Sequence, residues 1–161
     1  MFKKSDKKNS MTSICYNAVV DADSAHTWRV IKQFGGISRW HPAIDESVIE
    51  RGGPDGLVGC VRRLTLQGGA LLRERLLAVD DSQLSFAYSF EDTPLPVDNY
   101  VMTVKLIPIT DQPRTVIQWN ACFDLREPDP QSELLDSIRA LIVSGHDNLG
   151  AYLTQSTTTS L

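Results

Sequence analysis

Long apolar runs are missing from this sequence: nothing approaches the roughly 18 successive apolar residues of a membrane-spanning helix, so no membrane insertion is expected. Cysteine is scarce. Cys15, Cys60 and Cys122 are odd in number and far apart, with no CxxC pair and no Cys/His pairing, which argues against a disulfide framework and against a metal. Each sits in an apolar strand-like run, so all three are expected to be small core residues in a reducing, cytoplasmic setting. Positive charge is not concentrated anywhere. The net charge is −4, and Arg51, Arg62, Arg63, Arg73, Arg75 and Lys105 are interspersed with acids, which leaves no footprint for a nucleic acid. Familiar catalytic signatures are absent too: there is no HExxH, GxSxG, dinucleotide fingerprint or Ser/His/Asp ordering. The cluster Gly52-Gly53-Pro54-Asp55-Gly56 lacks the lysine and following helix of a phosphate loop, and no cofactor is expected.

What is present is an ordinary globular composition, 42% hydrophobic and 22% charged, over 161 residues, which is enough for one core. Residues 1–12 are basic but lack the apolar centre of a signal peptide and read as a disordered leader. Residues 13–155 read as one domain and 156–161 as a frayed polar tail.

Within the domain the periodicity changes twice. Residues 14–21 read as a strand; Asp23 or Ser24 then caps a short helix through Gln33, which Gly35-Gly36 should stop. A second helical turn over residues 37–40 ends at Pro42. Six strands follow, at residues 44–51, 59–66, 71–79, 84–90, 99–107 and 114–123, separated by turn residues and by no helix. That pattern implies an antiparallel meander. From about Asp129 to Tyr152, apolar residues at Leu134, Leu135, Ile138, Leu141, Ile142, Leu149, Tyr152 and Leu153 mark one face of a long helix. Gly145 interrupts it and is expected where the helix passes a crowded wall or a cavity. The order gives an α+β helix-grip fold: a curved antiparallel sheet of about seven strands around a long C-terminal helix, with two short helices after the first strand.

Trp40-His41-Pro42, Gly59-Cys60-Val61-Arg62, Arg73-Glu74-Arg75-Leu76 with Asp80-Asp81, Pro94-Leu95-Pro96-Val97-Asp98-Asn99-Tyr100, Thr115-Val116-Ile117-Gln118-Trp119 and Asn148-Leu149 occur in that order. As an ordered set over roughly residues 14–153 they resemble the polyketide cyclase/dehydrase-like branch of the START-related (SRPBCC) superfamily, and more distantly the plant abscisic-acid receptors and the birch-pollen allergen. The resemblance implies a cavity between sheet and long helix, closed at its mouth by loops. It also implies a ligand-facing basic group at His41 and polar partners at Arg62, Glu74, Tyr100 and Asn148. The sequence departs from the receptors: His41 replaces a lysine, Trp119 replaces an acid, the hairpin around Gly68-Gly69 is shorter, and Thr93-Pro94-Leu95-Pro96 stands where the latch would be. Hormone recognition and phosphatase binding therefore do not carry over.

Strand alternation tests the implied site independently. Along residues 70–79, Ala70, Leu72, Glu74, Leu76 and Ala78 share a face with a single charge, while Arg73 and Arg75 share the other. Arg62 is likewise the one charge on a face with Leu64 and Leu66. Glu74 and Arg62 should therefore face one interior and either pair or meet a ligand. Next to Arg62, Glu74 should stay ionised and be a weak base. His41, near the cavity mouth, could pair with an anion or move a proton. Among the aromatics, Trp28, Trp40, Phe86, Tyr88 and Phe123 read chiefly as core, and a ligand role falls to Trp119 and Tyr100. His26 and His146 read as ordinary surface or helix-end residues.

The expected function is binding of a small, largely apolar ligand, of lipid, polyketide or aromatic type, with one polar or anionic group. The expected site is His41, Arg62, Leu64, Glu74, Tyr100, Trp119 and Asn148. One alternative is a cyclase or dehydratase in which His41 or Glu74 removes a proton and Arg62 or Tyr100 steadies an enolate. Another is a homodimeric interaction module with a vestigial pocket.

Overall fold

The computed structural model describes residues 11–157. The chain runs through β1 (Thr12–Val20), α1 (Ser24–Ile31), a 3-10 helix (Phe34–Arg39), β2 (Ile44–Ile49), a 3-10 turn (Glu50–Gly52), β3 (Val61–Leu66), β4 (Leu71–Asp80), β5 (Ser85–Asp92), β6 (Val97–Pro108), β7 (Thr115–Leu125) and α2 (Glu133–Thr157). All seven strands form one antiparallel sheet in the order β1-β7-β6-β5-β4-β3-β2. This is the helix-grip α+β arrangement.

Local chemistry explains the elements. The Asp23 carboxylate accepts from the His26 N–H at 2.8 Å and caps α1, whose Trp28 and Ile31 turn inward. Alternation then sets the sheet: Val97, Tyr100, Met102, Val104 and Leu106 of β6 and Ile117, Trp119, Ala121 and Phe123 of β7 are all buried. From α2, Ile138, Ile142, Leu149 and Leu153 complete the core, each such side chain contributing about 1.5–3 kcal/mol by its burial. Register shifts at Ile44/Glu46, Arg73/Glu74, Leu76/Ala78 and Asp98/Val101 are bulges, and bulges bend strands and add twist. The bends let the sheet curve so that space is left between it and α2.

Several expectations need correction. Gly35 and Gly36 do not stop a helix; they lie inside the 3-10 helix, where Gly36 N–H donates to Gln33 O. The long helix begins at Glu133 rather than Asp129, because Ser132 adopts φ 56°; Asp129 instead accepts from the N–H groups of Leu134 and Leu135. β1 starts at Thr12, ahead of the expected residue 14, and α2 runs on to Thr157. Residues 1–10 of the expected leader and 158–161 of the expected tail lie outside the described residues. The cysteines are not core residues: Cys15 is exposed, its thiol 3.3 Å from Asn120 Oδ1, and Cys60 and Cys122 are half-buried. Finally, the bulge at Leu76/Ala78 reverses the phase of β4, so Ala78 is exposed and Val79 packs inward. Among the described residues no helix is long and apolar enough to cross a membrane.

Candidate ligand-binding site

Between the sheet and α2 lies a cavity of about 300 Å³, at the small end of the range for small-molecule sites. The sheet supplies one side of its wall, and β4 adds Leu72 and Glu74 to it. β5 contributes Phe86, Tyr88 and Phe90, β3 contributes Arg62, Leu64 and Leu66, and β6 contributes Tyr100 and Met102. Ile138, Leu141, Ile142 and Gly145 of α2 form the opposite side. Among the lining residues that reach solvent are His41, Gln67, Thr93, Pro94, Leu95 and Leu141, from the loops before β2, after β3 and before β6 and from α2, and these mark the mouth. Gly68 and Gly69, at φ 90° and 91°, make the tight turn beside it that only glycine adopts without strain.

Arg62 and Glu74 face each other across β3 and β4, both 3% exposed. The Arg62 Nε donates to Glu74 Oε1 at 3.0 Å, and its second terminal nitrogen lies 2.9 Å from the same oxygen. The other terminal nitrogen donates to Phe34 O at 2.8 Å. The guanidinium also packs against two rings, 3.9 Å from the Phe34 ring centroid and 4.7 Å from that of Tyr88. Glu74 Oε2, by contrast, accepts no hydrogen bond among the described residues. Burial pushes the Glu74 carboxyl above its ordinary range, against the opposing pull of Arg62. Arg62 and Glu74 pair as expected, but the expectation of a weak base is corrected: burial makes the carboxyl hold a proton more strongly than a free glutamate does.

Tyr100 stacks flat on Phe90, centroids 3.8 Å apart, and more loosely on Phe123 at 5.7 Å. Its hydroxyl has no protein partner among the described residues, and burial, then Tyr88 and Glu74, hold the phenol well above its ordinary pKa. Trp119 lines the cavity, but its indole N–H does not point to a ligand; it donates to His146 Nδ1 at 3.1 Å. The His146 Nε2–H is thereby free to donate to Val19 O at 3.1 Å, so this buried imidazole ties the cavity wall to β1.

His41 also has both ring nitrogens occupied. Nδ1 accepts from Ala43 N–H and Nε2 lies 3.2 Å from Leu141 O, which fixes the neutral Nε2–H form. Burial lowers its pKa, opposed by the hydrogen bond to Leu141 O and helped a little by the Arg62 charge. In place of the cation expected to meet an anionic ligand, His41 is a tie between the mouth segment and α2. Gly145 makes that tie possible: a Cβ there would stand 2.9 Å from His41 Cδ2 and 3.0 Å from Nε2.

Of the residues expected at the site, His41, Arg62, Leu64, Glu74, Tyr100 and Trp119 line the cavity. Asn148 does not. It is exposed on the outer face of α2, its amide turned back to Ser144 O at 2.8 Å. One residue is roughly 100° of helix, so the neighbour of inward Leu149 faces away. Sequence reasoning missed His146, although its spacing from Ile142 and Leu149 places it on the apolar stripe. It undervalued Tyr88, which alternates with Phe86 and Phe90 on the inward face of β5. Among the described residues, no group of three His, Cys, Asp or Glu side chains could hold a metal ion.

The comparisons with known proteins agree with this architecture. An uncharacterized protein from Bacillus thuringiensis superposes with a TM-score of 0.78 at 22% identity, covering 89% of this chain and 99% of that one. The Zhui aromatase/cyclase from Streptomyces sp. R1128 gives 0.74 at 17%, covering 91% and 96%. Norcoclaurine synthase from Thalictrum flavum, in complex with dopamine and hydroxybenzaldehyde, gives 0.70 at 17%, covering 90% and 87%. At such identities the likeness establishes a shared fold. No curated protein matches the chain. The family described as polyketide cyclase/dehydrase and lipid transport matches residues 11–153. Across nearly all of its described length, this chain belongs to that family.

Proposed function

We propose that this protein binds a small, largely apolar molecule in the cavity between the sheet and α2. The observation that carries the reading is the cavity itself: about 300 Å³ walled mainly by aromatic and aliphatic side chains, with its one buried ion pair already matched internally. Such a space excludes water from most of its wall, so a ligand gains by burying its own apolar surface there. The fold relatives found with an aromatase/cyclase activity or with bound aromatic molecules support the same use of the cavity. Native mass spectrometry of protein purified from its own host tests it directly: a co-purifying small molecule is the expected result. The reading fails if the protein is empty and an apolar fluorophore neither binds nor is displaced by any apolar competitor.

One observation favours a second reading, a cyclase- or dehydratase-like enzyme. Glu74 is a buried carboxylate with raised proton affinity and an unpartnered oxygen, which is what a general base near neutral pH requires. In that role Glu74 Oε2 would take the proton and the Tyr100 hydroxyl would donate to the developing enolate oxygen. A substrate whose turnover falls a hundredfold or more in Glu74→Gln, while binding persists, would establish chemistry in place of carriage.

A further inference from the structure

The polar groups of the cavity are unevenly committed. The nitrogen groups that could offset an anion's charge deep inside are already in use. Arg62 spends its guanidinium on Glu74 Oε1 and Phe34 O, with the Phe34 and Tyr88 rings close to its central carbon. Both His41 ring nitrogens are engaged, by Ala43 N–H and by Leu141 O, and the Trp119 N–H is held by His146. At the mouth, Thr93 Oγ1 accepts from Leu95 N–H, which leaves its own O–H for the rim of the cavity and not its depth. What remains open at depth is Glu74 Oε2, an acceptor on a 3% exposed side chain that lines the cavity, together with the Tyr100 hydroxyl.

Resting on the ligand-binding reading, we infer that the cavity selects a neutral ligand whose polar end donates a hydrogen bond to Glu74, and that it rejects a carboxylate. A ligand O–H or N–H can give Glu74 Oε2 a charge-assisted bond, about twice as strong as a neutral one, in a site where low dielectric strengthens it further. A ligand carboxylate brought to the same place would meet a like charge, with no uncommitted cation to offset it. A ligand ammonium fares little better, because the ion pair is neutral overall and Arg62 lies against it. The flat stacked wall of Phe90 and Tyr100 suits an aromatic or otherwise planar body behind the donor.

The test is a matched series titrated into the wild-type protein at pH 7 by calorimetry: naphthalene, naphthol, naphthol methyl ether and naphthoate. The aromatic body is constant while the polar end is absent, a neutral donor, an acceptor only, or an anion. Naphthol is expected to bind roughly tenfold or more tightly than either its methyl ether or naphthoate. Equal affinity for naphthol and its ether would overturn the donor contact, and naphthoate binding as tightly as naphthol would overturn the charge preference. In both of those cases binding of the series leaves the cavity reading standing. If no member binds, naphthalene included, the cavity reading falls and this inference with it. Glu74→Gln provides a second measurement: with the Arg62 charge no longer matched, the preference for naphthol over naphthoate should shrink roughly tenfold. An unchanged ratio in a folded Glu74→Gln protein would remove Glu74 as the discriminating group. Should that variant not fold, the wild-type series decides alone.

Discussion

The two faces of the β3–β4 pair use the same chemistry to opposite ends. On the inner face Arg62 meets Glu74 with both side chains 4% exposed. On the outer face, one position to either side of Glu74 along β4, Arg73 is 2.5 Å from Glu50 and Arg75 is bonded to Glu91, all four side chains partly exposed. The acids respond in opposite directions. Glu50 is lowered, chiefly by its hydrogen bond from Arg73, whereas Glu74 is raised, chiefly by burial. An ion pair therefore has no fixed worth; solvent decides whether it is a weak surface tie or a demanding internal group.

The largest break in this comparison should come from removing one inner partner. Glu74→Leu strands a guanidinium that cannot lose its proton, and should cost about 3–5 kcal/mol in urea unfolding at pH 7. Adding Arg62→Leu should restore most of that loss, since an apolar pair of similar volume fits such a site about as well. Equal stability of the single and double variants would show that the pair is not an energetic unit. The outer partner is worth far less. Arg73→Ala should cost no more than about 1 kcal/mol, and the difference should shrink on raising salt, since the contact is exposed and screened.

The smallest effect is on pH dependence. Glu50 has a folded pKa below its ordinary 4.5, so its contribution is complete above pH 4.5 and is lost as pH falls through the folded value. Glu74 has the opposite sign: its contribution is present below pH 4.5 and is lost as pH rises through its raised value. Unfolding midpoints measured from pH 3 to pH 7, in steps of about one unit, should therefore show a shallower acid loss in Glu50→Gln than in wild type. A steeper loss would mean that the outer acid is not stabilised by Arg73.

Much of this was readable from residue order. The lone charge among Leu72, Glu74 and Leu76 set the phase of β4, and the same logic on β3 brought Arg62 to the same interior. The meander and long helix followed from changes of period. What escaped has identifiable physical causes. A bulge moves the strand phase by one residue without any change in composition, so Ala78 and Val79 exchanged faces. Gly35-Gly36 reads as a stop, yet the bend it permits continues as a tighter helix. The protonation states of His41 and Glu74 depend on partners distant in sequence, Leu141 and the desolvating wall, which no local pattern displays. The bond between Trp119 and His146 joins residues on different elements and is likewise invisible in the linear chain.

The strand order also constrains how this chain is made. β1, the first strand described, pairs with β7, and the register joins Thr12 to Phe123. Cys15 and Asn120, in contact across that seam, are separated by 105 positions. Until β7 is available, β1 has no neighbour in the sheet, and the α2 face that packs against it follows later still. A nascent chain emerging from the ribosome therefore carries β1 unpaired until β7 has been made, with Ile14 and Val20 lacking the core that later covers them. Closing so long a loop must precede the contacts that reward it, which places this fold among slow-folding topologies. The meander from β2 to β7, by contrast, is built of successive neighbours and needs no such long closure.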